Sequence, residues 1–392
     1  MSDEVNDVPT PGVVIWPVGC GDSITLRVTD EIVMQVDLHH MKSSEESDTP
    51  TVPVIDRLEV LLPKRHGRPY LAVAAFTHLD EDHCRGAESL LDRVDVGELW
   101  LTPRSFVEAE AKGDMCEDAR GLHTEALRRL AEVLKYGDDT PSGDRLRIIG
   151  YSDVLDDLGF DNYPEELKSI PGTVVTVMDG EDVRDVAEVF LHSPFRDGCD
   201  GDERNSSSLG MRITLGAEDR VLRVLLLGDL GHEVLGRLLE VSDDADLEWD
   251  VFLAPHHCSK GAIIDDDGDE DTVVTDRLGE TAAPGAWIVA SAPPFPTADS
   301  KGANPPHLAA RAIYERLVGA DHFRCTGENG DEDNPVPLVF EPTRPDAQVI
   351  PLSASVAKGL LVGAAAIGAA ALIGRAIRPG DKTIPRGDRR FA

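Results

Sequence analysis

Cysteines are few in this 392-residue sequence, and no two of them form a C-x-x-C pair. The six are Cys20, Cys84, Cys116, Cys199, Cys258 and Cys325. Their scatter argues against a zinc ribbon and gives no disulfide framework. The first ten residues, MSDEVNDVPT, are polar and acidic, unlike a signal peptide. We therefore expect reduced thiols and a cytoplasmic location.

Basic residues are also scarce: 38 Lys and Arg stand against 73 Asp and Glu, for a formal net charge of -35. Because the acids are spread along the whole chain, adaptation to high salt explains them better than a function-specific acidic region. No basic groove for nucleic acid is visible, and at low salt the surface would repel phosphates. At molar salt the Debye length falls to about 3 Å, so that repulsion would be screened.

The sequence lacks an apolar run of the roughly 20 residues that a membrane-spanning helix needs. The longest candidate is the Ala- and Gly-rich stretch 360–373, inside a predicted helix over 356–377. Three interpretations stay open: a membrane-associated tail, a helix docked on a partner chain, or a helix packed on its own domain. The basic end, 375–390, would suit an anionic lipid surface. We divide the chain into a domain of residues 1–352 and a helix with a basic tail, 353–392.

Apolar strand patterns alternate with helical patterns over most of the chain. Strands are predicted at 71–76, 221–229 and 250–255, and helices at 118–137, 231–240 and 307–319. This alternation is typical of layered α/β proteins.

The segment 76-FTHLDEDHCRG-86 follows the first of these strands directly. Charges gathered at a strand end repel one another unless a cation offsets the repulsion. His78 and Asp80 are two residues apart and face the same way on extended chain, while Asp82 and His83 sit where the chain turns. Imidazoles with carboxylates suit zinc, manganese or iron. The alternative is a solvated acidic turn.

Two further apolar strands end in ligand-type residues. Asp229 lies in 225-LLLGDLG-231, and His256 and His257 lie in 251-VFLAPHHCSKGA-262. In layered α/β folds, functional sites collect at such strand ends. An acid such as Asp229 can bridge two metal ions about 3.5–4 Å apart.

As a set, these motifs resemble the metallo-β-lactamase fold, and within it the soluble hydrolase domain of the DNA-internalisation competence protein ComEC. The matching segments are 18-VGCGDSITL-26, 77-THLDEDH-83, 204-RNSSSL-209, 226-LLGDL-230 and 254-APHHCSKGA-262, with 304-NPPH-307 as a weaker match. The resemblance covers about residues 12–345. It implies an α/β fold in the form of a four-layer αββα metallo-β-lactamase sandwich, here with an apolar C-terminal helix.

The resemblance also implies two divalent metal ions. Their ligands would be His78, Asp80, Asp82, His83, Asp229 and His256. His78 and Asp80 would hold the first ion, Asp229 would bridge, and the remaining three would hold the second. We expect zinc, with manganese or iron as alternatives because half of these donors are carboxylates.

The first ion lacks a third histidine ligand in this pattern. His192 and Asn205 are the candidate site-lining residues that lie nearest in sequence. Asp37, which resembles a strand-end Asp of the family, is expected to orient a ligand from behind rather than to bind metal.

The implied activity is hydrolysis by a metal-bound hydroxide, most simply of a phosphodiester in a nucleotide or nucleic acid. The candidate catalytic residues are Asp82, His257 and His307, and the two histidines would orient substrate or protonate the leaving group. Two alternatives stay open: a metallohydrolase of a carboxylic ester, lactone or amide, and a binding module tethered to a membrane or partner through 356–377.

Overall fold

A computed structural model describes residues 8–46, 49–110, 115–160, 162–200, 205–218, 220–265, 267–331, 334–342 and 348–349. The predicted helix over 356–377, the basic tail and the boundary at residue 352 lie outside these ranges. Within them, no helix is both long enough and apolar enough to cross a membrane.

The described residues form strands throughout the chain. The first eight are β1 (Gly12–Ile15), β2 (Ile24–Arg27), β3 (Val33–Val36), β4 (Lys64–Arg65), β5 (Arg68–Ala75), β6 (Asp95–Leu101), β7 (Arg145–Ile149) and β8 (Lys168–Ser169). The next nine are β9 (Val174–Val175), β10 (Val177–Met178), β11 (Glu181–Asp182), β12 (Ala187–Leu191), β13 (Met211–Ala217), β14 (Arg220–Leu226), β15 (Trp249–Leu253), β16 (Ala282–Ala290) and β17 (Phe323–Cys325). The last four are β18 (Gly330–Asp331), β19 (Asn334–Pro335), β20 (Leu338–Glu341) and β21 (Gln348–Val349).

The described residues form twelve α-helices, which include the three predicted at 118–137, 231–240 and 307–319. They are α1 (Val54–Leu61), α2 (Glu81–Cys84), α3 (Ala87–Arg93), α4 (Arg104–Glu110), α5 (Glu117–Tyr136), α6 (Ser152–Asp157), α7 (Arg196–Asp200), α8 (His232–Val241), α9 (Asp244–Leu247), α10 (Pro255–Cys258), α11 (Thr272–Thr281) and α12 (Leu308–Val318). The predicted mixed α/β class is confirmed.

Two large mixed sheets hold most of these strands. The first has the order β21-β20-β1-β2-β3-β5-β6-β7-β8, with β4 paired beside β5, and the second has the order β17-β16-β15-β14-β13-β12-β9. In the middle of each sheet the pairing is parallel: β3 with β5 and β5 with β6 in one, β14 with β15 and β15 with β16 in the other. Parallel strands are buried on both faces, which explains why they appear in the sequence as unbroken apolar runs.

Side-chain alternation on these strands produces four layers in the described part of the chain. On β6, Leu99 and Leu101 point into a core shared with α1, α3 and α5, whereas Trp100 points into the core between the two sheets. On β14, Val224 faces the core between the sheets and Leu225 faces a third core with α8, α11 and α12. The order is helices, sheet, sheet, helices.

A buried ionic cluster lies on the first sheet, between the layers. Glu98 is fully buried, and each of its carboxylate oxygens accepts two hydrogen bonds. Oε1 accepts from Arg147 Nε at 2.8 Å and from Trp100 Nε1 at 2.7 Å. Oε2 accepts from Arg145 Nε at 3.1 Å and from the Asp179 backbone amide at 3.0 Å. We call these residues the Glu98 cluster.

Candidate metal centre

The parallel strands in the middle of the two sheets carry the predicted site residues at their carboxyl ends. Asp37 follows β3, the 77–83 segment follows β5, Asp229 follows β14, and His256 and His257 follow β15. Parallel neighbours end at the same edge, so the fold gathers these segments at one rim of the two-sheet core.

Asp229 lies at the centre of the gathered residues. Its Oδ1 is 3.0 Å from His83 Nε2 and 3.9 Å from His257 Nε2. Its Oδ2 is 3.6 Å from His256 Nε2 and 3.9 Å from His78 Nε2. The two oxygens of one buried carboxylate therefore face two separate pairs of imidazoles.

These separations fit metal coordination. Two atoms bound to one tetrahedral zinc at about 2.1 Å lie roughly 3.4 Å apart, and the four distances to Asp229 range around that value. In addition, ligand atoms of Asp22, His83, Asp229 and His257 all lie within 4.8 Å of one another, and all four residues are buried.

Unpartnered polar atoms concentrate at the same place. Buried side-chain atoms without a hydrogen bond in the described residues include Asp22 Oδ1, His78 Nε2, His83 Nε2, Asp229 Oδ1 and His257 Nδ1. Leaving a buried polar atom unpaired costs about 1–3 kcal/mol, and the three atoms that face one another here, His78 Nε2, His83 Nε2 and Asp229 Oδ1, call for a ligand. Imidazole nitrogens and carboxylate oxygens are the donor set of a divalent cation, and the residues present fit such an ion.

Two imidazoles have a carboxylate behind them. His83 turns Nε2 toward Asp229 while its Nδ1 lies 2.7 Å from Asp37 Oδ2. His257 Nδ1 lies 3.4 Å from Asp22 Oδ1, close enough for an ion pair but without a hydrogen bond. Asp37 also accepts hydrogen bonds of 2.7 Å from the amide and the hydroxyl of Thr77. A carboxylate behind a ligating histidine fixes its tautomer and ring orientation.

The electrostatics of the centre follow from this packing. Burial alone would lower the pKa of His83, but the carboxylates of Asp229 and Asp37 raise it well above its ordinary value. Burial is likewise outweighed at His257, where Asp22 and Asp82 raise the pKa. Burial would raise the pKa of Asp229, but the charges of His83 and His257 hold it well below its usual range. The buried imidazoles and carboxylates of the centre therefore stabilise one another's charged forms.

Asp80 and Asp82 lie on the more open side of the centre. The side chain of Asp82 is 37% exposed, and its Oδ2 is 3.3 Å from His257 Nε2. Asp80 Oδ2 is 3.9 Å from His78 Nε2. The two carboxylates therefore belong to different sides: Asp82 lies with His257, and Asp80 with His78.

The backbone that presents the histidine pair is strained. His256, His257 and Cys258 all have positive φ, at 50°, 52° and 65°, so the short segment α10 is not a regular helix. Left-handed backbone costs a non-glycine residue about 1–3 kcal/mol and is retained where the surroundings demand it. This conformation sends the two adjacent rings to opposite oxygens of Asp229. Gly228, at φ +55°, precedes Asp229, and an added Cβ would press on Thr77 and Ser208 at 3.1 Å.

Three contributors were missed in the sequence: Asp22, Thr77 and Ser208. The backbone amide of Asp22 donates to Asp82 O at 3.1 Å, which ties the 19–22 turn to the 77–83 segment. Gly21 makes this approach feasible, because a Cβ there would collide with His39 and with Asp82 O. The Ser208 hydroxyl lies 3.4 Å from His78 Nδ1 and accepts from the Asp229 amide at 3.4 Å. The matching segments 18–26, 77–83 and 204–209 contain these three residues and were the signals available in the sequence.

Three other predicted site residues are not among those gathered around Asp229. His192 is on the outer face of the second sheet, with Nδ1 3.0 Å from Ser242 Oγ. Asn205 opens a short 3-10 turn over Asn205–Ser207 and is half-buried. His307 is buried, its Nδ1 accepts from the Lys260 amide at 3.3 Å, and its Nε2 lies 3.1 Å from Ala303 O. Both nitrogens of His307 thus engage backbone, which suits holding the loop that follows the histidine pair.

Comparisons with known proteins give low similarities. No family model matches the chain, and no curated protein matches it. A solved structure of Zn²⁺-bound PqqB from Methylobacterium extorquens is 14% identical, with 83% of this chain and 99% of that chain covered, at a TM-score of 0.38. The metallo-β-lactamase GOB-18 from Elizabethkingia meningoseptica is 12% identical (72% and 92% covered, TM-score 0.33). The metallo-β-lactamase SMB-1 is 11% identical (70% and 91% covered, TM-score 0.33). TM-scores below 0.5 establish neither fold family nor activity, so the assignment depends on the residues themselves.

Proposed function

We propose that this protein is a metal-dependent hydrolase of the metallo-β-lactamase fold with a dinuclear centre bridged by Asp229. The observation that carries the proposal is the division of four imidazoles between the two oxygens of one buried carboxylate. A structural carboxylate would be satisfied by fixed donors such as arginines or amides. Asp229 instead faces unpartnered imidazole nitrogens on both sides.

The geometry favours a changed ligand assignment. His83, His257 and Asp82 would hold one ion together with Asp229 Oδ1. The opposite ion would be held by His78, Asp80 and His256 together with Oδ2. His257 thereby takes the place first assigned to His256. His256 in turn supplies the third ligand of the first ion, for which His192 and Asn205 were the earlier candidates.

Two such cations would supply an activated water and stabilise negative charge that develops on the substrate. The chain's own part is orientation. Asp82 is a partly exposed carboxylate at the open side, so it is suited to orient the water by accepting a hydrogen bond. Asp37 and Asp22 keep Nε2 of His83 and His257 directed at the centre.

A phosphodiester is the substrate class we propose, and the support for it is the resemblance of the five motif segments to the ComEC hydrolase domain. Esters, lactones and amides are the competing class, because the same centre could act on a carbonyl carbon. Neither class needs the C-terminal segment, so a tethering role for 356–377 stays a separate prediction.

The test pairs metal analysis with turnover. Elemental analysis should give about two metals per chain for the wild type and a reduced content for D229N. Bis-p-nitrophenyl phosphate and p-nitrophenyl acetate should be compared at low and at molar salt. The matched control is D250N, which alters a buried aspartate that accepts from the Arg223 amide and lies outside the centre.

Phosphodiester turnover that is lost in D229N and kept in D250N would support the full proposal. Turnover of the acetate alone would overturn the phosphodiester part. Absence of bound metal and of turnover with added zinc, manganese and iron would overturn the hydrolase.

A further inference from the structure

Two cysteines that the metal centre does not use lie in contact at the junction of α2 and α5. Cys84 Sγ and Cys116 Sγ are 3.8 Å apart, although 32 positions separate the residues in sequence. Cys84 is fully buried and Cys116 is half-buried. Two thiols at van der Waals contact need only a small approach to reach the bond length of about 2.05 Å.

The local structure gives the two thiols different reactivities. Cys116 is the N-cap of the 20-residue helix α5, and its Sγ accepts a hydrogen bond from the Ala119 amide at 3.4 Å. The hydrogen bond from Cys84, together with that amide, lowers the pKa of Cys116 to about 6. A helix N-terminus is the setting in which a thiolate becomes the attacking nucleophile.

A small reagent can come close to this junction. The residues that follow the two cysteines, Arg85 and Glu117, line a surface cleft of about 730 Å³. Lys42 lines the same cleft and adds a positive charge beside the acids.

We propose that Cys84 and Cys116 form a reversible disulfide by exchange with a low-molecular-weight disulfide. The Cys116 thiolate attacks one sulfur of the reagent RS–SR, forms a mixed disulfide and releases RS⁻. Cys84 then attacks Cys116 Sγ, and its proton leaves with the second RS⁻ as RSH. The protein loses two electrons, and the reagent is reduced to two thiols.

The bond would fasten α2 to α5. Because Cys84 directly follows Asp82 and His83 in α2, the disulfide would place a covalent restraint next to the metal centre. This inference does not depend on the proposed hydrolase activity.

The test uses the full chain with glutathione disulfide at pH 7.5, followed by alkylation and digestion without reduction. Two of the six thiols should disappear, and mass spectrometry should find the peptide of Cys84 linked to that of Cys116. Dithiothreitol should restore both thiols. C116S should form no such link, and C84S should stop at a glutathione adduct on Cys116.

Denaturation in urea is the control for proximity, and the selectivity for this pair should be lost there. A stable glutathione adduct on wild-type Cys116 without the cross-link would overturn the proposal. Equal oxidation of the other cysteines in the native chain would do the same. If C84S does not fold, C116S still decides the outcome, because its altered thiol is only half-buried.

Discussion

Two clusters in this protein each contain a buried carboxylate, and the charge of that carboxylate is compensated in different ways. The Glu98 cluster surrounds one carboxylate with two arginines, an indole and an amide, and both oxygens are filled. The metal centre surrounds Asp229 with four imidazoles, and the facing nitrogens of His78 and His83 have no hydrogen bond in the described residues. In the described residues, no Lys or Arg ion pair reaches Asp22, Asp37, Asp82 or Asp229.

The difference separates a structural cluster from a functional one. Arginine is permanently charged and holds a carboxylate through fixed hydrogen bonds, so the Glu98 cluster is complete when the chain folds. Histidine can be neutral and offers a lone pair, so under the proposed function the Asp229 site would be completed by a cation. Three predictions test this distinction, from the largest expected effect to the smallest, and a fourth extends it to Asp179.

Metal removal should have the largest effect on stability. At free zinc about 100 times the dissociation constant, each site stabilises the folded state by about 2.7 kcal/mol, so two sites give about 5 kcal/mol. Urea denaturation with zinc and with EDTA measures this difference in the free energy of unfolding. In D229N most of the difference should vanish. Identical curves for the wild type with and without zinc would contradict a metal centre.

Substitution E98Q should lower stability and leave the metal centre intact. Removing the charge leaves Arg145 and Arg147 buried without compensation, and breaking a buried pair costs about 3–5 kcal/mol. The zinc-dependent increment should remain. A suitable control is E188Q, because Glu188 is partly exposed and lies 3.5 Å from Arg212. Because this pair joins a buried arginine to a partly exposed glutamate, its loss should cost less than the loss of the fully buried Glu98 pairs.

The carboxylates behind the histidines should affect metal affinity and little else. D37N and D22N should each weaken zinc binding by about 10- to 100-fold, because the orientation of His83 or His257 is lost. Competition with a chromophoric chelator measures the dissociation constant, and D250N is again the control. Unchanged affinity in both variants would mean that the two imidazoles are oriented by packing alone.

The sequence was sufficient for the residues that end apolar strands. His78, Asp80, Asp82, His83 and Asp229 could be found because a charged residue after a buried run stands out without tertiary information. Their convergence follows from the rule that parallel strands share a carboxyl edge.

The remaining features depend on tertiary contacts that the sequence does not encode locally. Asp22 reaches the centre through a hydrogen bond between loops 60 positions apart. The choice between His256 and His257 depends on left-handed backbone, which an extended-strand assumption cannot anticipate. The Glu98 cluster needs the register of β6 with β7, which pairs Glu98 with Arg145 and Trp100 with Arg147.

Asp179 is a buried acid next to the Glu98 cluster, and it extends the comparison. In the described residues no arginine donates a hydrogen bond to its carboxylate. Its amide donates to Glu98, but its own Oδ1 has no hydrogen bond in the described residues, and Arg65 Nη1 stays 3.7 Å from Oδ2. Burial, with Glu181 nearby, raises the pKa of Asp179 to about 7. The unfolded chain ionises near pH 3.9, so between pH 4 and 7 the folded state holds a proton that the unfolded state has released.

Stability should therefore fall as pH rises from about 4 to 7, by at most about 4 kcal/mol from this group. Most of that decline should be absent in D179N, because an amide does not ionise. The measurement is the free energy of unfolding by urea at pH 5 and pH 7.5, with EDTA present in both proteins so that metal binding does not contribute. A decline of equal size in the variant would assign the pH dependence to another group. Asp179 would then be as well stabilised in its ionised form as Glu98. The difference from the Glu98 cluster would then apply only to the metal centre.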